Sequence, residues 1–97
     1  MNANEYINGM ADLLRTTSAD VRIEDIDGKK RIAVKFPSVD AMRSEMKKAF
    51  IANAETLKTL NAGLKALRAT GEIKSASQGY APLALERAIE YRMDFGF

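Results

Sequence analysis

The sequence predicts an α+β fold in a single small globular domain covering residues 1–97: an N-terminal helix, a two-stranded antiparallel hairpin, a long or broken helix, and a C-terminal helix. Three observations carry this expectation. Apolar residues recur at helical spacing between Tyr6 and Leu14. Apolar and charged residues alternate on both sides of Asp27-Gly28. A proline-free stretch with its own start and stop signals then runs from Ser38 to Gly71.

In "NEYINGMADLLRTT", Ile7, Met10, Ala11 and Leu14 sit at i, i+3, i+4 and i+7, with Tyr6 and Leu13 widening the stripe. Asn4 is the expected N-cap and Glu5 suits the positive first turn. Gly9 costs an isolated helix about 1 kcal/mol relative to alanine, so packing must hold this one.

The hairpin follows from "IEDIDGKKRIAV". Asp-Gly favours a two-residue type I′ turn, in which both central residues take positive φ. That turn sets Ile23 against Ile32 and Val21 against Val34, and Asp25 against Lys30 and Glu24 against Arg31. Apolar meets apolar and acid meets base at all four positions, each pair contributing roughly 0.2–1 kcal/mol. A one-residue slip would oppose Glu24 to Ile32, and a four-residue loop would oppose Asp25 to Ile32. The face formed by Val21, Ile23, Ile32, Val34 and Phe36 then needs covering by helices, because a lone hairpin is marginal in water.

Ser38 is the expected N-cap of the next helix, Asp40 lies in its first turn, and Gly71 is a natural terminator after Lys65 and Arg68. One continuous helix of this length would run about 48 Å at ~1.5 Å per residue. A chain of this size has a radius of gyration of roughly 13 Å. Val39, Met42, Met46, Ala49 and Phe50 form one stripe, and Leu57, Leu60, Leu64 and Leu67 another, out of step across residues 53–56. Either the helix breaks there, or its second half projects and pairs with another chain.

"EIKSASQGYAPL" reads as a loop. Pro82 suits the first turn of a last helix. On it Leu85, Ala88, Ile89 and Met93 share one face, Ala84, Tyr91 and Phe95 adjoin it, and Gly96 ends it.

Composition narrows the chemistry. Apolar residues make up 46% and charged residues 29%, as in folded domains, and there is neither cysteine nor histidine. Disulfides, thiolate nucleophiles, thiolate zinc sites and imidazole acid–base catalysis are thereby excluded. No cofactor motif and no glycine-rich phosphate loop is present, so the expectation is a non-enzyme without cofactor. "MNANEYINGM" has neither the basic start nor the apolar run of a signal peptide, and no stretch approaches the ~20 apolar residues of a membrane span. A cytoplasmic location is the default expectation.

"DIDG" has the spacing of part of a calcium loop, but the first and last ligand positions would be Ile23 and Val34, which offer no side-chain oxygen. No metal site is expected. Glu86 and Glu90 are one helical turn apart, a spacing that can serve acid–base chemistry; beside Arg87 and Arg92 they read as an exposed charged face.

Charge is uneven. Residues 1–28 hold six acids and two bases, and residues 29–48 hold seven bases and two acids. Lys29, Lys30, Arg31, Lys35, Arg43, Lys47 and Lys48 therefore form a candidate nucleic-acid-binding region, though without aromatic residues between them for base stacking. The 3-4-3 spacing of Leu57, Leu60, Leu64 and Leu67 matches a short coiled-coil seam. With Phe95 and Phe97 at the apolar C-terminus it makes a candidate partner surface, or a homo-oligomer interface along the long helix.

The helix–hairpin start over about a third of the chain resembles a double-stranded RNA-binding domain in topology, but no third strand separates Phe36 from Ser38. In bulk character the chain resembles phage and mobile-element accessory proteins that bind and block host machinery, anti-CRISPR inhibitors among them. That resemblance implies a small protein-binding module acting on a host macromolecular complex.

Overall fold

The structure, a computed structural model, describes residues 1–84 and 87–97. The elements run α1 (Ala3–Leu14), β1 (Asp20–Ile26), β2 (Lys29–Phe36), α2 (Val39–Ala52), α3 (Ala54–Ala69), β3 (Ser75–Leu83) and β4 (Ala88–Gly96). The strands form one antiparallel sheet in the order β1-β2-β4-β3, and the fold is α+β. The helices cover one face of the sheet, and the other face is open.

Helix α1 begins two residues earlier than expected. Asn2, not Asn4, is the N-cap: its Oδ1 accepts from the Glu5 N–H at 2.8 Å, and Glu5 Oε1 accepts from the Asn2 N–H at 3.0 Å. This reciprocal pair satisfies donors that the first helical turn cannot. Asn4 instead accepts a bond from Lys30 Nζ at 3.0 Å, tying the helix to β2. The apolar stripe is buried as read: Tyr6, Ile7, Met10, Ala11, Leu13 and Leu14 all lie in the core. Tyr6 packs edge-to-face on Phe95, with centroids 5.4 Å apart. Gly9 has the packing reason its cost required, since a Cβ there would stand 2.9 Å from Leu60 Cδ2. Its bare backbone lets α1 and α3 approach closely.

The first hairpin has the expected register, Val21 to Val34, Ile23 to Ile32, Glu24 to Arg31 and Asp25 to Lys30. Asp27 and Gly28 have φ of 48° and 76°, the positive pair of a type I′ turn. The two basic side chains bond elsewhere. Arg31 turns to Asp94 on β4, and Lys30 turns to Asn4.

The long helix is broken. Ser38 caps α2, its Oγ accepting from the Ala41 N–H at 3.1 Å. At Asn53 the backbone leaves helical geometry (φ −116°, ψ 33°), while its side-chain amide donates to the Ala49 carbonyl at 2.8 Å. Thus Asn53 closes α2, and α3 turns back onto α1. Gly71 ends α3 at φ 79°.

The expected C-terminal helix is replaced by a second hairpin. Ser75–Leu83, read as a loop and helix start, is edge strand β3, and Ala88–Gly96 is β4. The physical reason lies in the sequence: Ile89, Tyr91, Met93 and Phe95 alternate with Glu90, Arg92 and Asp94, a period of two that suits a strand with one face on the core. β4 pairs with β2 on one side and β3 on the other, so its backbone groups are satisfied on both edges. Pro82 stands in β3, where a missing N–H is tolerated on a sheet edge. Gly96 lies within β4. Leu85 and Glu86, assigned to the expected helix, lie outside the described residues.

Candidate functional site

On the helix-covered side of the sheet, α2 carries a partly exposed apolar surface that opens to solvent among the described residues. On α2, Met42 and Ala49 point into the core, while Met46 and Phe50 lie at its margin, half-buried. Ile51 is 68% exposed, the most exposed large apolar side chain among the described residues. Together with Ala54 at the start of α3 these residues line one shallow depression, flanked by Arg43 and Lys47. The spacing 43, 46, 47, 50, 51, 54 is a second helical stripe, offset from the core stripe and carried across the break at Asn53. Burying such side chains against a partner gains about 25 cal/mol per Å² of apolar surface removed from water. The two cations would set the charge of what is buried.

The leucine seam expected to meet a partner is instead used inside the molecule. Leu60 and Leu67 are 3% exposed and belong to the core, and Phe95 is 1% exposed. Leu57 and Leu64 are half-buried at its margin. Phe97 alone of that group is exposed, at 41%.

The seven basic residues of the nucleic-acid reading do not form one patch. Lys29, Arg31 and Lys35 alternate onto the open sheet face, Lys30 faces the opposite way toward α1, and Arg43, Lys47 and Lys48 ride on α2. The open face is a mosaic of both signs. Glu90, only 6% exposed, accepts from Arg22 at 2.7 Å and from Arg92 at 2.7 Å. Arg31 donates to Asp94 at 2.6 Å, and that bond holds its guanidinium above the ordinary value against an opposing desolvation. Behind these side chains Ala33 is fully buried.

A narrower crevice of about 250 Å³ lies between α3 and β3, with Tyr6, Leu64, Met93 and Phe95 among its lining. Burial, with neighbouring Tyr91, pushes the Tyr6 phenol up to about 12. Tyr91 is also raised by burial, and its hydroxyl donates to Gln78 Oε1 at 2.5 Å. The "DIDG" segment is the hairpin tip, with Asp27 in the turn itself.

The sequence pattern places Met46 and Phe50 on the core stripe, at whose margin they lie half-buried, and assigns no role to Ile51. The available signal was the isolated apolar residue next to Phe50, on the side of α2 otherwise given to polar residues. No protein-family model matches this chain, and no curated protein or solved structure matches it. No described helix is long and apolar enough to cross a membrane.

Proposed function

We propose that this chain is a non-enzymatic protein-binding module whose α2 surface receives an acidic, amphipathic segment of a partner. One observation carries the reading: the exposed Ile51 stands beside the half-buried Met46 and Phe50, with Arg43 and Lys47 flanking them. A partner's apolar side chains would cover the stripe while its carboxylates meet the two cations. Steering by those charges favours a faster encounter, and burial of the stripe favours a long-lived complex. The role we assign it is that of an inhibitor or accessory protein, of phage or mobile-element type, occupying a surface of a larger complex.

The alternative, binding of nucleic acid through residues 29–48, is less well supported because its bases are divided between two sides of the molecule. One experiment addresses both. The tagged chain and an Ile51→Asp variant are used to capture partners from lysate, with and without nuclease. A defined protein retained by the parent chain after nuclease and lost with the variant supports the proposal. Equal capture by both chains overturns it, and capture that vanishes with nuclease transfers the function to nucleic acid.

A further inference from the structure

The sheet ends in two edges of opposite character. β1 carries Asp20, Arg22, Glu24 and Asp25, the charged composition that keeps an exposed edge from pairing with another chain. β3, at the other end, has the sequence SASQGYAPL and no charge in nine residues. Its one strand neighbour is β4, and Gly79 has open space around it. Tyr80, in mid-strand, is 58% exposed. Among the described residues of this edge, Pro82 near its end is the one feature that blunts pairing.

We infer that β3 is a self-association edge, pairing antiparallel with β3 of a second copy to join two four-stranded sheets into one of eight. A copy is the occupant the strand fits. Twofold pairing brings the same patch to itself, and a patch without charge meets no like charge when it does so. A foreign strand would have to be selected, and β3 offers no charged side chain to select one. The register follows from Pro82, which lacks the N–H to continue the ladder. The seven residues Ser75–Ala81 remain, and the twofold axis then passes Gln78. On the helix side, Tyr80 would lie across from the small Ala76 of the copy, which buries its exposed ring. On the open side, serine, glycine and alanine meet one another, so the backbones approach freely.

The chain lacks cysteine, so a single introduced thiol reports one position. Opposed residues in such a pair have Cβ atoms about 4.5–5.5 Å apart, near enough for a disulfide after a small adjustment. Gln78→Cys should therefore give a disulfide-linked dimer on mild oxidation, whereas Asp25→Cys on the β1 edge should stay monomeric. In sedimentation velocity the unmodified chain should show dimer growing with concentration. Tyr80→Lys, whose side chain is exposed in the monomer and which should keep the native circular dichroism, should weaken that dimer roughly tenfold or more. A chain that stays monomeric into the millimolar range, or a dimer that Tyr80→Lys leaves unchanged, overturns the inference. Equal cross-linking of the Gln78→Cys and Asp25→Cys variants does the same.

Discussion

The contact of Gly9 with Leu60 sets up a substitution whose effect should change sign with its background. Gly9→Ala in the native chain adds a methyl group 2.9 Å from Leu60 Cδ2. The helix gains about 1 kcal/mol from replacing glycine. Overpacking an already filled site costs about 1–3 kcal/mol. The balance is a loss of up to about 2 kcal/mol, tempered by the freedom of the leucine terminus to shift. Leu60→Ala, at a side chain 3% exposed, should cost about 2–5 kcal/mol. For a domain of this size each kcal/mol lowers Tm by roughly 4–8 °C, so this variant should melt at least 8 °C earlier. In that background the methyl of Gly9→Ala meets no leucine and enters the space left behind. The same substitution should then stabilise by about 1 kcal/mol. Urea unfolding of the four chains, followed by circular dichroism, gives the coupling energy, expected at about 1–3 kcal/mol. Equal effects of Gly9→Ala in both backgrounds, within about 0.5 kcal/mol, would refute the packing of α1 on α3 through this pair. A negligible loss for Leu60→Ala would return Leu60 to the surface.

Three further outcomes are expected. Ser38→Ala should cost about 1 kcal/mol by removing the cap of α2, read as a lower urea midpoint with unchanged m-value. Tyr6 is held neutral, with its folded pKa raised to about 12 against an ordinary 10.0. Its contribution to stability is complete below pH 10 and is lost as pH rises toward 12, because the unfolded chain releases the proton first; Tyr6→Phe should flatten that decline in a pH series of urea midpoints. Glu90→Gln should destabilise by about 1–2 kcal/mol at low salt, a modest figure because both arginines are partly solvated and rehydrate. The gap between parent and variant should narrow in 1 M salt.

The two halves of the chain were unequally legible, and the difference lies in how local the deciding information is. The first hairpin carries its own answer: Asp27-Gly28 fixes the turn, and four complementary pairs fix the register. The break at Asn53 also shows locally, as a mismatch between two apolar stripes. β4 was misread because its short apolar set fits two periods. Ala88, Ile89 and Met93 allow a helix face, while Ile89, Tyr91, Met93 and Phe95 allow a strand. What decides is the pairing of β4 with β2, a long-range fact that no window of the sequence contains. The leucines of α3 misled for a related reason. Their spacing announces a packed face but not whether α1 or another molecule packs on it. The basic residues cluster along the chain, yet alternation in β2 and the turn into α2 send them to different sides.

The sheet order also governs how the molecule can be made. β2 sits in the middle and needs β4, so Arg22 meets Glu90 across 68 positions of chain. During synthesis α1 and the first hairpin emerge early and can form from local contacts. One backbone edge of β2 then stays unpaired until β4 has been made. Pairing over such separations is slow because loop closure comes before any compensating contact. In that interval the bare edge is the part of the nascent chain most open to misassociation, and the part a chaperone would be expected to hold.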